Sequence, residues 1–163
     1  MTGSVMNPSP TDLPSGVIFL LPGHGRRYDL GPMQSLFMAD DDETGGRYSV
    51  SVWWVDANMP GPGAHSHESN EELFYVLEGT MTFQVGDQHI DAPQGSFLRV
   101  PGSVIHDFEN TTDRRAGVLN VFIPGGFEAA YMPAIVEWGG PISRDRVRKF
   151  RIANRWMSAV VGS

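Results

Sequence analysis

Short apolar runs alternate with turn-forming residues through the middle of the chain, and this pattern is typical of β-strands. Seven such runs predict strands, at residues 35–39, 47–55, 73–77, 80–85, 97–100, 104–108 and 118–123. The acidic, glycine-containing stretch 40–46 predicts a polar hairpin turn between the first two strands. Strands this short and this evenly spaced are typical of a β-sandwich or a small barrel. We therefore predict an all-β fold with no long helix before residue 141.

The run that begins with Glu72 shows apolar residues on both faces of one predicted strand. Successive strand side chains point to opposite faces, so Phe74 and Val76 share whichever face Glu72 occupies. Leu73 and Leu77 then lie on the other face. Large apolar residues on both faces require cover on both sides, which favours an oligomer.

The composition agrees with one domain built from strands. The chain has 163 residues, which suits a single domain. Its 19 glycines and 12 prolines would interrupt the helices of a bundle. The chain has no cysteine, which excludes disulfides, cysteine-zinc sites, iron–sulfur clusters and a thiol nucleophile. Any metal must therefore be held by histidine and carboxylate side chains.

The formal net charge is −7, but the basic residues are concentrated near the C-terminus. Residues 141–163 contain six of the 12 lysines and arginines, which leaves an acidic body and argues against nucleic acid as a partner. Five apolar residues recur there at helical spacing: Val147, Phe150, Ala153, Met157 and Val160. They predict an amphipathic helix that lies on the acidic body or on a partner subunit.

Neither a membrane segment nor a secretion signal is expected. No apolar run approaches the length that crosses a bilayer, and the polar first 14 residues lack the basic start and apolar centre of a signal peptide. We therefore predict a cytoplasmic protein with no membrane partner. The patterns divide the chain into an N-terminal lead-in (1–32), a β core (33–128) and a C-terminal segment with the amphipathic helix (129–163).

Histidine is rare in this chain, yet two of the five histidines, His65 and His67, are separated by a single residue. Residues two apart in a strand face the same side, about 6.6 Å apart. Glu71 and Glu72 follow just before a predicted strand, and His106 lies on a later one. Three neutral imidazoles and one carboxylate are suitable ligands for a divalent transition metal with coordination positions left open.

The segment around these residues resembles the first motif of the cupin superfamily. In that motif a His-x-His pair is followed, after three or four residues, by Glu and six residues later by Gly. His65, His67, Glu72 and Gly79 match this pattern. The distance to Gly79 favours Glu72 over Glu71 as the ligand.

A second segment resembles the second cupin motif, in which Gly, Pro, His and Asn follow one another at fixed spacing. Gly95, Pro101, His106 and Asn110 occupy these four positions. The glycine expected two residues after Pro101 is Ser103 here. This departure concerns the geometry of a turn and leaves the histidine in place.

The resemblance implies a double-stranded β-helix, or jelly-roll barrel, of six to eight strands with a metal at one end of a funnel-shaped cavity. It implies His65, His67, Glu72 and His106 as the metal ligands and a homodimer as the assembly. The ligand set is compatible with Fe, Mn, Ni, Co, Cu or Zn, and the order of affinities does not choose among them.

Apolar residues on the predicted strands are candidates for the wall of this cavity. They are Trp53 or its neighbour Trp54, only one of which can face inward, with Phe74, Phe83, Phe97, Phe108 and Val121. Such a lining beside an open metal position suits a flat, mostly apolar small molecule with an oxygen donor. No convergent set of arginines or lysines lies on these strands apart from Arg99, which disfavours a phosphosugar isomerase.

The first functional hypothesis is a metal-dependent dioxygenase that acts on a flavonol-like aromatic or enol substrate. Residues 125–128, Gly-Gly-Phe-Glu, are similar to a segment of quercetinase-like cupins. In this hypothesis Glu72 is catalytic, because it leaves the metal and accepts a proton from a substrate hydroxyl. Two alternatives stay open: a redox-neutral isomerase or polyketide-cyclase-type enzyme, and a small-molecule-binding protein without enzymatic activity.

Overall fold

A computed structural model describes residues 13–137, apart from the side chains of residues 134 and 137. The residues that predict the C-terminal amphipathic helix, 147–160, lie outside the described residues. Within the described range the chain forms nine strands and two helices. The strands are β1 (Arg26–Asp29), β2 (Met33–Ala39), β3 (Ser49–Val55), β4 (Glu71–Glu78), β5 (Thr80–Val85), β6 (Gln88–Pro93), β7 (Phe97–Val100), β8 (His106–Glu109) and β9 (Ala116–Ile123). The helices are α1 (Asp41–Thr44) and α2 (Phe127–Glu137).

The strands form two antiparallel sheets, and the all-β prediction is confirmed. The larger sheet has the order β1-β2-β3-β9-β4-β7, and the smaller has the order β6-β5-β8. The inner faces of the two sheets pack together through aromatic rings. Phe74 of the larger sheet lies 5.2 Å from Phe83 and 6.0 Å from Phe108 of the smaller one, between ring centroids. This is the packing of a jelly-roll sandwich.

The alternation predicted along β4 is confirmed by burial. Glu72, Phe74 and Val76 are buried, whereas Tyr75 and Leu77 are exposed. Strand β4 is not at the edge of its sheet, because it pairs with β7 on one side and with β9 on the other. Its inner residues therefore reach the interior of the sandwich, where the candidate site lies.

The N-terminal lead-in contains one strand that its sequence did not predict. Residues 26–29 form β1, which pairs with β2 from Arg26 opposite Phe37 to Asp29 opposite Gln34. Three of its four residues are exposed, as expected for the edge of a sheet. The short, charged sequence of β1 lacks the apolar alternation by which seven of the strands were predicted. Strand β6, five of whose six residues are exposed, was also not predicted.

The predicted hairpin turn at residues 40–46 contains the single-turn helix α1. The backbone N–H of Asp40 donates to the carboxylate of Glu43 at 2.8 Å, and the N–H of Glu43 donates to the Asp40 carbonyl at 3.1 Å. Gly45 then adopts φ 63°, a left-handed conformation that suits glycine at the end of a helix. The acidic residues that suggested a turn thus begin a short helix.

Helix α2 has 11 residues and was not predicted from the sequence, although it is too short to contradict the prediction that no long helix precedes residue 141. The glycines before it allow a sharp turn, since Gly126 has φ 94° and a Cβ at Gly125 would lie 2.9 Å from the carbonyl group of Tyr48. Pro133 lies inside the helix. This concentration of glycine and proline hid the helical pattern.

Buried polar groups from distant parts of the chain bind the N-terminus of α2. The Asp40 carboxylate accepts hydrogen bonds from the N–H groups of Gly126 at 3.0 Å and Ala129 at 3.1 Å. The Ser49 hydroxyl accepts one from Phe127 at 3.2 Å and itself donates to Asp40. These bonds satisfy N–H groups that the helix itself leaves without partners.

A second anchor joins α2 to the edge strand β1 through Glu128. Its carboxylate accepts hydrogen bonds from Arg26 Nε at 2.7 Å and from the Tyr28 hydroxyl at 2.6 Å. Burial and the bond to Glu128 raise the pKa of Tyr28 to about 12. Arg26 also binds Glu43 of α1. The lead-in strand and both helices are therefore held together.

No helix within residues 13–137 has the length and apolar character needed to cross a membrane.

Candidate metal centre

The histidines and the glutamate reach the site from three different elements. Glu72 is the second residue of β4, and His106 is the first residue of β8. His65 and His67 lie in the loop before β4, where His65 and His106 form an isolated bridge with backbone N–H···O distances of 2.9 and 2.8 Å. The His67 carbonyl accepts a further bond from the N–H of Ser103 at 2.7 Å. The loop is thus fixed by backbone pairing, although it is no regular strand.

Backbone carbonyls orient two of the imidazole rings. His65 Nδ1 lies 2.6 Å from the carbonyl oxygen of Gly63, and His106 Nδ1 lies 2.9 Å from that of Val104. A neutral imidazole that donates from Nδ1 carries its lone pair on Nε2. Such a second bond fixes both the tautomer and the ring direction of a metal-binding histidine.

The carboxylate of Glu72 lies between two imidazoles and an amide. Its Oε1 atom is 2.9 Å from His106 Nε2 and 3.0 Å from His67 Nε2. Its Oε2 atom accepts a hydrogen bond of 2.7 Å from Asn120 Nδ2. Glu72 is 4% exposed, so nearly all of its polar contacts are with the protein.

The donor set fits a divalent transition metal. One ligand atom from each of His65, His67, Glu72 and His106 lies within 4.8 Å of the others. His67 Nε2 is fully buried and makes no hydrogen bond of good geometry, in spite of its short distance to Glu72. A buried ring nitrogen without such a bond leaves a polar atom unsatisfied, and coordination would satisfy it. Imidazole and carboxylate donors suit the metals from Mn to Zn.

The electrostatics of the cluster keep Glu72 and His65 in the forms that bind a cation, whereas they favour the protonated form of His106. Desolvation, together with the neighbouring His106, lowers the pKa of His65 to about 4. Burial alone would raise the pKa of Glu72, but the bond with His106 and the close contact with His67 outweigh it and hold that pKa well below its usual range. Burial would lower the pKa of His106, yet its bond to Glu72 prevails and raises it. The carboxylate is ionised and His65 is neutral at pH 7.

Four of the predicted wall residues lie in the interior beside the histidines. The Phe74 ring is 6.2 Å from the His106 ring, and it contacts Phe83 and Phe108. Trp53 lies 6.3 Å from Phe108 and is 5% exposed, which identifies it as the inward-facing member of the tryptophan pair. These rings form an apolar layer beneath the polar cluster.

The other two predicted wall residues, Phe97 and Val121, lie on the outer face of the sheet. Phe97 is 65% exposed and is paired with Tyr75, which is also exposed. Val121 is paired with Leu73, and its neighbour Asn120 faces inward to Glu72. The two-residue period of a strand therefore directs Val121 away from the site. Both residues were selected for their apolar character, which does not determine the face.

Three residues near the centre were missed by the sequence analysis: Asn120, Phe122 and Tyr131. The rings of Phe122 and Tyr131 lie 4.9 and 5.6 Å from the His67 ring. Burial and the charge of Glu72 raise the pKa of Tyr131. The sequence does contain a signal for Asn120, because its amide is the one polar side chain in the otherwise apolar strand β9. Phe127 and Tyr131 are four residues apart, a helical spacing that the neighbouring glycines and proline obscured.

Comparison with protein families gives a match to the family model described as Cupin domain. The match covers residues 54–122, which contain all four candidate ligands. Among curated proteins, the chain is 31% identical over 125 residues to quercetin 2,3-dioxygenase of Bacillus subtilis. The matched region is 72% of this chain and 35% of that enzyme, so the chain spans about a third of the length of this relative.

Solved structures show the same fold at lower sequence identity. The structure of KdgF from a Halomonas species has a TM-score of 0.58 and 18% identity, over 68% of this chain and 94% of that chain. An RmlC-like cupin from Shewanella frigidimarina has a TM-score of 0.56 and 18% identity, over 66% and 90% of the two chains. At these identities the comparisons establish the architecture alone.

Proposed function

We propose a function for this chain from the premise that it belongs to the cupin superfamily. The chain is proposed to be a metal-dependent dioxygenase that acts on a small aromatic or enol substrate of the flavonol type. His65, His67, Glu72 and His106 are the proposed ligands of one divalent metal per chain. The observation that carries this proposal is the convergence of their four ligand atoms within 4.8 Å above an aromatic layer.

The proposed chemistry assigns distinct tasks to the groups of the chain. The four ligands would hold a metal that, when bound, would lower the pKa of a substrate hydroxyl. The ionised carboxylate of Glu72 would be the group that accepts the proton of that hydroxyl. The rings of Phe74, Phe122 and Tyr131 contact the histidines and would exclude water from the electron-rich substrate during its reaction with dioxygen.

The surroundings of the site favour a neutral aromatic substrate over an anionic one. Arg99 lies on the outer face of β7, where its Nε atom donates a hydrogen bond of 2.8 Å to Glu71. It is therefore not available inside to bind a phosphate. The aromatic layer provides apolar contact for a flat ring system. Among neutral aromatic substrates, similarity to a quercetin dioxygenase supports a flavonol.

A second candidate is a redox-neutral enzyme, an isomerase or a polyketide-cyclase-type cupin. The observation in its favour is the buried, ionised Glu72, since a positioned base moves protons without any need for dioxygen. The same centre could also bind a small molecule without turnover. The predicted homodimer and cytoplasmic location stay predictions of the sequence.

The test loads the full chain separately with Fe(II), Mn(II), Co(II), Ni(II), Cu(II) and Zn(II) and adds quercetin. Oxygen uptake is recorded together with the loss of quercetin absorbance. We expect at least one metal form to consume dioxygen in proportion to the substrate lost. Turnover under anaerobic conditions would contradict the dioxygenase and favour the redox-neutral enzyme. Binding without turnover in every metal form would favour the binding protein.

Two neighbouring glutamates provide a matched pair of variants for the role of Glu72. We expect Glu72→Gln to lower turnover by about 10²- to 10⁴-fold while most of the metal is retained, because the base is lost. Glu71→Gln should leave turnover unchanged, since Glu71 faces outward to Arg99. Equal turnover in the two variants would contradict the proposed role of Glu72 as a base.

A further inference from the structure

The amide of Asn120 lies beside the metal centre without belonging to the ligand set. Asn120 is in the middle of β9, opposite Ser51 of β3 and Phe74 of β4. It is 3% exposed, and it faces the interior of the sandwich with Phe122. Its Nδ2 atom donates a hydrogen bond of 2.7 Å to Glu72 Oε2.

The two oxygens of Glu72 have different surroundings. Oε1 is within 3.0 Å of the Nε2 atoms of both His67 and His106, at the point on which the ligand atoms converge. Oε2 is bonded to the Asn120 amide. A carboxylate can bind a metal through one oxygen or through both, and a hydrogen bond to one oxygen disfavours the second mode.

We propose that Asn120 is a positioning residue that restricts Glu72 to one metal-facing oxygen, Oε1. This inference rests on the proposed metal centre and adds to it the way in which Glu72 binds. With Oε2 held by Asn120, the carboxylate occupies one coordination position and leaves another for the oxygen donor of a substrate. Asn120 is not a catalytic residue in this account, because it acts through Glu72.

A second buried asparagine shows what a purely structural amide looks like in the same fold. Asn110 is 1% exposed, and its Nδ2 atom donates to the carbonyl oxygens of Val55 at 3.0 Å, Asp56 at 3.1 Å and Arg114 at 2.6 Å. These bonds tie the end of β3 to the loop between β8 and β9 and involve none of the candidate ligands. Asn110 is therefore the matched control for Asn120.

The experiment compares the wild-type chain with Asn120→Ser and Asn110→Ser after loading with Co(II). The Co(II) dissociation constant is measured by titration, and the coordination number is followed by the intensity of the visible d–d bands. That intensity falls as the coordination number rises. We expect Asn120→Ser to weaken Co(II) binding about 10- to 100-fold and to lower the band intensity. Asn110→Ser should lower the unfolding temperature while both Co(II) readouts stay at wild-type values.

The outcomes separate this inference from the proposed function. A wild-type chain that binds no Co(II) overturns the metal centre and this inference together. A wild-type chain that binds Co(II), with an unchanged spectrum in folded Asn120→Ser, overturns only the role of Asn120, whatever happens to the affinity. If Asn120→Ser does not fold, Asn120→Gln moves the amide by one methylene and must alter the spectrum. An unaltered spectrum in that variant overturns the inference.

Discussion

The two faces of β4 present opposite combinations of polarity and burial. On the inner face, the charged residue Glu72 is 4% exposed and shares its side of the strand with Phe74. On the outer face, the large apolar residues Tyr75 and Leu77 are 44% and 38% exposed. Phe97 of β7 extends this outer surface with 65% exposure. The charge is therefore inside and part of the apolar surface is outside.

This contrast shows that partners, rather than polarity, decide which residues are buried around the site. A buried carboxylate is costly unless other groups satisfy it. Glu72 receives such groups from His67, His106 and Asn120. The outer residues have apolar side chains but no second layer of the described chain above them that would exclude water from Tyr75 or Phe97.

The largest effect is expected when the aromatic layer of the inner face is removed. Phe74 is 1% exposed and contacts His106, Phe83 and Phe108. Phe74→Ala should lower the free energy of unfolding by about 3–5 kcal/mol, because it leaves a cavity under the site. Urea denaturation measures this change. A loss below about 1 kcal/mol would mean that the inner layer is not the core described above.

A smaller effect is expected from pH on metal binding. The raised pKa of His106 means that this ring keeps its proton to higher pH, and a metal must displace that proton. His65, with its pKa lowered to about 4, has no proton to release in the neutral range. Below the pKa of His106, the metal association constant should therefore rise about tenfold for each pH unit, or about 1.4 kcal/mol.

Titration of the wild-type chain with Zn(II) at several pH values checks this dependence. One proton displaced gives a slope of about one in a plot of log K against pH, and the slope should fall toward zero at higher pH. A slope near zero over the whole range would mean that binding displaces no proton. That result would contradict the raised pKa of His106.

The smallest effect is expected on the outer face. Phe97→Ala removes a ring that is 65% exposed, so the free energy of unfolding should change by no more than about 0.5 kcal/mol. Metal content should stay at the wild-type value. Denaturation of this variant beside Phe74→Ala, at the same dilute protein concentration, makes the comparison. If Phe97→Ala lowered the free energy of unfolding as much as Phe74→Ala does, the outer face would be covered in solution.

The sequence predicted the parts of this fold that depend on alternation and motif spacing. Alternation placed Glu72 and Phe74 on one face, and burial confirms it. Motif spacing selected the four residues that the structure brings together. Both signals are local, because a strand repeats every two residues and each motif lies within one short, continuous stretch of the chain.

The parts that the sequence did not predict depend on contacts between distant segments. Helix α2 depends on Asp40 and Ser49, which lie about 80 residues earlier and bind its first N–H groups. Val121 was placed on the wrong face because its parity follows from the register with β4, which no local pattern reveals. Asn120 acquires its role only when β9 is brought beside Glu72. Contacts between segments far apart in the sequence decide each case.

The most direct measurement of the central claim is the metal content of the purified chain after reconstitution with a divalent metal and dialysis. Elemental analysis is applied to the wild-type chain and to the double variant His65→Ala, His67→Ala. The account predicts one metal per wild-type chain and almost none in the variant, since two of four ligands are lost. Equal metal content in both proteins, or none in the wild-type chain, would contradict a metal centre built from His65, His67, Glu72 and His106.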